Sequence, residues 1–186
     1  MRIVVQRRIN MPKSSKKQIN EDDKKFLKVL QRNSGDNIEN IAKKCGFSRQ
    51  KLWRIKKRLE KDKTIWGYNA VIDDEKAGVK RYQILLKKAP KAILDKMMDV
   101  MLEKDMRKQL EKFGVEFDCS FYIHGYFDWS LCITAPNIIA VKKFIESLKT
   151  KFGEYISEIQ VLEVIFPLLK SGFDNPNLTE FKEFFK

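Results

Sequence analysis

The hydrophobic positions of this chain follow a helical spacing in one part and a strand spacing in another. Between residues 22 and 62 the apolar side chains recur every three or four positions, the spacing of helices that bury one face. From residue 81 onward, stretches in which every second side chain is apolar alternate with two longer helical stretches. This change predicts two small domains of different class, a helical one followed by a mixed α+β one.

Three short helices are predicted in the first part. The first begins with acidic residues at the positive end of its dipole and ends at Asn33–Gly35. Asp36 or Asn37 caps the second helix, and Ser48 caps the third, which runs to about Asp62. The side chains that we expect to be buried are Phe26, Leu27, Leu30, Ile38, Ile41, Ala42, Cys45, Leu52, Ile55 and Leu59.

Residues 38–59 match the spacing of a helix-turn-helix. The fifth residue of this range is Ala42, which lets two helices cross closely, and the ninth is Gly46, which permits a turn with positive φ. Leu52 and Ile55, the fifteenth and eighteenth, are apolar and face the preceding helix. Because the outer side of the third helix is also strongly basic, we predict a DNA-binding unit rather than an ordinary helical hairpin.

The segment Thr64–Asp73 loses the helical spacing and is rich in β-forming residues. Trp66 and Tyr68 are expected to pack at a hinge or to form part of a wing, and packing is favoured. Asp73–Lys80 has the composition of a linker between the two parts.

The remaining elements are predicted in the order β-α-β-β-α-β, the ferredoxin-like arrangement. Pro90 opens the first helix and Gly114 ends it, and its methionines are expected in a core or at a dimer contact. A second helix spans about Asn137 to Phe152, with its apolar stripe at Ile138, Val141, Ile145 and Leu148. The predicted strands are Arg81–Lys88, Val115–His124, Trp129–Thr134 and Ile156–Phe166.

The predicted sheet has more apolar surface than its helices can cover. Val115–His124 alternates strictly between apolar and polar residues, and Ile156–Phe166 is apolar on both faces. Because helices cover only one face of such a sheet, we expect the other face to meet a second copy of the chain. The tail is too short to be stable alone, so it must dock on its own chain or on a partner through Leu178, Phe181, Phe184 and Phe185.

The excess charge is confined to the N-terminal third. Residues 1–66 hold 20 Lys and Arg against 7 Asp and Glu, a balance of +13, and residues 67–186 hold 18 of each. This asymmetry is typical of a DNA-binding module joined to a neutral module. A membrane surface would require an exposed apolar helix face, but these apolar residues are needed for packing. Residues 1–20 are expected to form either an arm that follows DNA or a disordered tail.

Neither a zinc site nor a disulfide framework is predicted. Cys45, Cys119 and Cys132 are widely spaced, and His124 is the only histidine. No apolar run approaches the length of a membrane span, and the N-terminus lacks the features of a signal peptide. We therefore expect a cytoplasmic protein with reduced cysteines and no cofactor.

Four stretches together match one known family. They are Ile38–Ser48 (IENIAKKCGFS), Arg58–Glu60 (RLE), Ile65–Tyr68 (IWGY) and Gly125–Asp128 (GYFD). In these stretches the chain resembles the Lrp/AsnC, or feast/famine, transcription regulators. The resemblance implies a winged helix-turn-helix, a hinge strand and a ferredoxin-like domain of the RAM type. It also implies a homodimer that assembles into tetramers or octamers and responds to amino acids.

On this basis the chain divides into five segments: a basic arm (1–20), a winged helix-turn-helix domain (21–66), a hinge strand and linker (67–80), a ferredoxin-like domain (81–167) and a tail (168–186). Three features depart from the family. Lys56 stands where an apolar residue is usual, and Ile55 precedes it. The helix after Pro90 looks longer than the family's, and the arm and tail are additions.

The candidate DNA contacts lie around the start of the third helix. Ser48 satisfies backbone donors at the N-terminus of that helix and can share this end with a phosphate. The first turns, where base edges are read, carry Arg49, Gln50, Lys51 and Arg54. Phosphate contacts are expected from Lys43, Lys44, Lys57 and Arg58.

The candidate effector site is the turn Gly125–Asp128, which in the Lrp/AsnC family lies where dimers meet and effectors bind. Gly125 permits close approach, Tyr126 belongs to the turn, and Asp128 can hold an α-ammonium group. The alternative is a β-turn in which Asp128 accepts backbone N–H groups. His124 lies beside the turn, where a structural role is favoured.

Two other functions remain open alongside a DNA-binding transcriptional regulator. Tetrapyrrole (sirohaem-type) decarboxylases share a related two-domain plan, but they would need His and Arg in the second domain, which has only His124, Arg81 and Arg107. A non-specific architectural DNA-binding protein would use the same basic surface. The sequence favours a regulator that is not an enzyme.

Overall fold

The structure, a computed structural model, describes residues 20–90 and 111–185. The basic arm predicted at residues 1–20, apart from Asn20, and most of the helix predicted between Pro90 and Gly114 lie outside the described residues. The chain forms two compact units, which divide between Ala70 and Val71. In the described ranges no helix combines the length and apolar character needed to cross a membrane.

The first unit consists of three helices, α1 (Glu21–Asn33), α2 (Ile38–Cys45) and α3 (Arg49–Lys61). A side-chain oxygen accepts a backbone N–H at the start of each helix, which satisfies a donor that the helix itself leaves free. The capping residues are Asn20, Asn37 and Ser48. The caps predicted at Asn37 and Ser48 are therefore confirmed.

One apolar cluster holds the three helices together. It comprises Phe26, Leu30, Ile41, Ala42, Cys45, Leu52, Ile55 and Leu59, with Leu27 and Ile38 packed against it. Gly46 connects α2 to α3 with a φ of 64°, a left-handed conformation that costs other residues about 1–2 kcal/mol. The helix-turn-helix spacing predicted from the sequence is thus confirmed.

Residues 64–73 contain no strand, so the β-rich segment predicted there is not formed within the described part of the chain. A strand needs a hydrogen-bonded neighbour, and β-propensity alone does not supply one. The packing predicted for Trp66 is wrong, because this side chain is 94% exposed. Ile65 packs on the helical cluster instead. The Tyr68 hydroxyl donates to Glu60 Oε1 at 2.9 Å.

The second unit is an antiparallel sheet with the strand order β2-β3-β1-β4. Its elements are β1 (Lys80–Lys88), β2 (Glu116–Tyr122), β3 (Trp129–Ala135), α4 (Ile138–Phe152) and β4 (Ile156–Glu163). Helix α4 packs on one face of the sheet, against Tyr82, Ile84, Leu86, Leu131 and Ile133. This topology is ferredoxin-like, as predicted.

A bulge in β2 breaks the strict alternation predicted for Val115–His124. The register with β3 shifts between Phe117 and Cys119. An extra residue moves every later side chain to the opposite face. Tyr122 therefore lies on the core side, and its ring centroid is 4.7 Å from that of Trp129.

The buried face of α4 also differs in part from its prediction. Val141, Ile145 and Leu148 are buried as expected, but Ile138 is exposed and Phe144 is buried. Ile138 is the first residue of the helix and thus lies at the end of the buried stripe.

The tail docks on its own chain. It forms a hairpin of β5 (Leu169–Lys170) and β6 (Phe173–Asp174), followed by a 3₁₀ helix over Leu178–Phe185. The ring of Phe181 lies 5.3 Å from that of Phe166, centroid to centroid. The hairpin was not predicted, because two-residue strands leave little trace in the apolar pattern.

Candidate nucleic-acid interface

Helix α3 has a buried face and an outward face. Leu52, Ile55 and Leu59 point into the apolar cluster. With 3.6 residues per turn, the residues on the opposite side are Gln50, Trp53, Arg54, Lys57 and Lys61. All five are exposed. We call these five residues the outward face of α3.

Two turns fix the start of this helix. Gly46 ends α2 and its N–H donates to the carbonyl oxygens of Ala42 and Lys43. Ser48 Oγ then accepts the N–H of Lys51 at 3.2 Å. The first turn of α3 is therefore defined by local hydrogen bonds, and its outward face begins directly after the cap.

The predicted DNA contacts fall into two groups by their partners. Several cations form exposed ion pairs, in which the N···O distances are 2.9 Å for Arg49–Glu39, 2.7 Å for Lys51–Asp22, 2.7 Å for Lys44–Asp36 and 3.8 Å for Lys57–Glu60. Exposed pairs contribute only ~0–1 kcal/mol, so a phosphate can compete for these cations. Within the described ranges, Lys43, Gln50 and Arg54 have no side-chain hydrogen bond or ion pair.

Arg58 differs from the other cations. Its Nη2 donates to Oδ1 of Asp23, a fully buried carboxylate at the start of α1. Asp23 also belongs to a capping box, since its N–H donates to Asn20 Oδ1 at 2.9 Å. The hydrogen bond to Asp23 raises the pKa of Arg58. The phosphate contact predicted for Arg58 would require this ion pair to open or to be shared.

Two residues of the outward face, Trp53 and Lys61, were absent from the predicted contacts. Their positions follow from the helical period, because Trp53 lies three residues after Gln50 and Lys61 four after Lys57. Trp53 is 52% exposed, and Lys57 Nζ lies 5.9 Å from the centroid of its ring. The helical period therefore carried the signal for both residues, but the predicted contacts included no aromatic side chain and ended at Arg58.

The turn proposed for effector binding carries its own hydrogen bonds. Asp128 Oδ2 accepts the backbone N–H of Lys88 at 2.8 Å, and the Asp128 N–H donates to the Leu86 carbonyl at 2.9 Å. The Tyr126 hydroxyl donates to Glu158 Oε2 at 3.0 Å. Asp128 thus makes the backbone contacts of the turn alternative through Oδ2, and among the described residues its Oδ1 accepts no hydrogen bond.

The other candidate residues of this turn are open to solvent. Apart from Gly125 itself and its two chain neighbours, no atom of the described residues lies within 4 Å of the position that a Cβ on Gly125 would take. His124 is exposed, and in the described part of the chain it makes no hydrogen bond or ion pair. Tyr126 is also exposed, with Lys87 Nζ 3.5 Å from its ring centroid. Together they form an accessible surface rather than an enclosed pocket.

A second group of charges, the Arg81 cluster, lies elsewhere in the second unit. It consists of Asp74, Arg81, Asp118 and Lys170. Arg81 Nε donates to Asp74 Oδ2 at 2.8 Å, and Lys170 Nζ donates to Asp74 Oδ1 at 2.6 Å. Burial acts to raise the pKa of Asp74, but the hydrogen bonds and positive charges of Arg81 and Lys170 together outweigh it and lower that pKa. The cluster ties the tail to the segment before β1.

Comparison with known proteins places these features in context. No protein-family model matches the chain. A curated relative, the uncharacterised HTH-type transcriptional regulator YugG of Bacillus subtilis (strain 168), is 27% identical over 143 residues, or 75% of this chain and 81% of the relative. Among solved structures, an AsnC family transcriptional regulator from Agrobacterium tumefaciens aligns with a TM-score of 0.61 and 21% identity over 86% of this chain and 98% of its own. A transcriptional regulator from Neisseria meningitidis, solved in complex with L-methionine, aligns with a TM-score of 0.62 and 19% identity over 87% of this chain and 99% of its own.

This chain has the fold of the AsnC/Lrp regulators. The resemblance drawn from its four sequence stretches is therefore confirmed. Because the identity to the solved AsnC/Lrp structures is low, the role of each side chain rests on the geometry of this chain alone. Lys56, the departure from the family pattern, is half-buried beside the buried Ile55, so the helix keeps an apolar face.

Proposed function

We propose that this protein is a sequence-specific DNA-binding transcriptional regulator of the AsnC/Lrp type. The observation that carries the proposal is the outward face of α3, which presents Gln50 and Arg54 without intramolecular partners among the described residues. Arg can read guanine through two hydrogen bonds and Gln can read adenine in the same way. Side chains that need not break other contacts are the ones best placed to do so.

The surrounding cations suit the phosphate backbone. Residues 1–66 carry the whole excess of positive charge, whereas residues 67–186 are neutral. We assign base contacts to Arg49, Gln50, Lys51 and Arg54, and phosphate contacts to Ser48, Lys43, Lys44 and Lys57. Arg58 contributes to the same surface mainly by fixing α3 against α1. Neutralisation of several phosphates would make binding strongly dependent on salt.

The second unit is proposed to bring two copies of α3 together. The sheet face opposite α4 exposes Leu162, which pairs with Gln83 between the buried Tyr82 and Ile84 and therefore points away from the core. Burial of this face against a second copy would give a homodimer, and further assembly a tetramer or octamer. A dimer places two α3 helices at half-sites about one DNA turn apart, or a multiple of it.

We also propose that the second unit senses an amino acid through His124, Gly125, Tyr126 and Asp128. The Neisseria regulator of the same fold was solved with L-methionine, which is an amino-acid ligand of that protein. In this chain, a free oxygen of Asp128 is suited to an α-ammonium group. Calorimetric titration with a panel of amino acids tests this part, and Asp128→Asn should abolish any heat of binding that the wild type gives.

The central test is selection of bound sequences from a random duplex pool, followed by titration of the enriched duplex between 50 and 200 mM salt, roughly the range in which phosphate contacts are resolved. We expect a common motif and an affinity that falls steeply with salt. A pool that is retained without enrichment would indicate an architectural DNA-binding protein. An affinity that does not change with salt would contradict DNA binding through this surface.

A further inference from the structure

The outward face of α3 contains one large apolar side chain among polar and cationic neighbours. Trp53 is 52% exposed and is absent from the apolar cluster that holds the first unit together. It therefore contributes little to the packing of that unit. A lone exposed tryptophan is not unusual in itself, but on the proposed recognition face, beside Gln50 and Arg54, its ring offers apolar surface that a bound ligand can contact.

The neighbours of Trp53 show what kind of ligand this is. Gln50 lies one turn before it, Arg54 follows it directly, and Lys57 lies one turn after it with Nζ 5.9 Å from the ring centroid. The polar amide of Gln50 and the cations of Arg54 and Lys57 make a lipid chain or an apolar peptide an unfavourable occupant. They match a polyanion that carries isolated apolar groups.

In the major groove of DNA, the apolar group that a protein can contact is the C5-methyl of thymine. Trp53 lies in the second turn of α3, on the same face as Gln50 and Arg54, so all three side chains would reach one stretch of groove. We infer that Trp53 is a specificity-determining residue that recognises the C5-methyl group of thymine in the bound DNA. This inference rests on the proposed function.

The test removes the methyl group without changing the base pairing. In the duplex enriched by selection, each thymine is replaced in turn by uracil, and the dissociation constant is measured for the wild type and for Trp53→Ala. For the wild type we expect one or two positions per half-site at which uracil weakens binding by about fourfold. This is the change in dissociation constant that corresponds to the burial of one methyl-sized group. Trp53→Ala should bind the thymine duplex more weakly and should no longer distinguish uracil from thymine at those positions.

Two control variants separate this effect from a general loss of binding. Trp66→Ala removes another tryptophan, 94% exposed and outside α3, and should keep the response to uracil. Trp53→Leu keeps apolar surface at this position and should retain part of the response to uracil. Circular dichroism of Trp53→Ala should match the wild type, since the side chain lies outside the core.

The possible results are distinct. Uracil sensitivity that is present in the wild type and lost in Trp53→Ala supports the inference. If the wild type binds the selected motif but no uracil position matters, or if Trp53→Ala keeps the full response, the inference is overturned while the proposed function stands. If no motif is enriched, the proposed function fails and the inference fails with it.

Discussion

The two units each hold an arginine against an aspartate, but the surroundings of the two pairs differ. In the first unit, Asp23 is fully buried and Arg58 is its cationic partner. In the second unit, Asp74 accepts from both Arg81 and Lys170, and Arg81 also pairs with Asp118. Apart from the Asn20 N–H, which Asp23 Oδ2 accepts at 3.3 Å, Asp23 relies on this one cation to balance its buried charge, whereas a cluster can redistribute its hydrogen bonds.

This difference indicates where charge remains available for a ligand. On the flank of α3 that faces α1, Arg58 and Lys51 pair with acidic residues of α1, so their charges also serve the fold. On the outward side, Arg54 has no such partner in the described part of the chain. In the Arg81 cluster, two cations face two carboxylates and the charges cancel. The excess of positive charge that the proposed DNA binding requires therefore belongs to the first unit.

The largest effect is expected from Arg58→Met, which leaves Asp23 buried without its cation. Breaking a buried pair costs ~3–5 kcal/mol, and because Arg58 itself is partly exposed we expect about 2–4 kcal/mol of lost stability. Urea unfolding followed by circular dichroism measures this. Arg32→Met, which removes an exposed arginine of α1, should stay within about 0.5 kcal/mol of the wild type.

The same variant distinguishes support of the fold from phosphate binding. If Arg58 acts through Asp23, the salt dependence of DNA binding by the folded Arg58→Met protein should keep its slope. A slope reduced by about one would identify Arg58 as a direct phosphate contact. Equal stability of the Arg58→Met and Arg32→Met variants would contradict the importance of the Asp23 pair.

The ion pairs were not predictable from the sequence, although much of the fold was. Caps and apolar stripes depend on residues within one or two turns, so Asn37, Ser48 and the core of α3 could be identified. Arg58 and Asp23 are 35 positions apart, and only the packed helices bring them together. In the sequence pattern of α3, Arg58 and Lys57 both lie outside the apolar stripe, so nothing distinguished their roles.

The same limit applies to the second unit and to the candidate site. The bulge after Phe117 depends on pairing with β3, which no local pattern reports. A large aromatic side chain such as Trp66 is usually packed, but in this segment its neighbour Ile65 packs on the cluster and Trp66 is exposed. Trp53, in contrast, could have been found from the helical period of α3.

Arg54→Ala is expected to have the next largest effect, on binding rather than on stability. Loss of a side chain that reads a base should weaken specific binding by about 1–3 kcal/mol and relax the sequence preference at one position. Competitive binding of matched and single-mismatch duplexes measures both. A uniform loss across all sequences would mean that Arg54 contacts phosphate, and no loss would remove it from the interface.

In the Arg81 cluster, Asp74→Asn should cost about 1–2 kcal/mol at pH 7, because hydrogen bonds to a charged group are lost but Arg81 keeps Asp118. The pKa of Asp74 is lowered in the folded state from its ordinary value of 3.8. Its charge therefore stabilises the fold above that value, and the contribution is lost as the pH falls through the lowered pKa. Urea unfolding at pH 7 and below pH 4 should show the difference between wild type and variant shrinking in acid. A constant difference would show that Asp74 acts by shape alone.

The smallest effects on stability are expected from removing one helix cap in each unit. Ser48 Oγ accepts one N–H at 3.2 Å, whereas Asn137 Oδ1, the cap of α4, accepts two, from Ile139 at 3.0 Å and Ala140 at 3.1 Å. Replacing a cap by alanine costs roughly 0.5–2 kcal/mol, so we expect Ser48→Ala near the lower end and Asn137→Ala nearer the middle. Thermal unfolding of both variants measures the order. The reverse order would mean that the start of α3 depends on its cap more than the hydrogen bonds indicate.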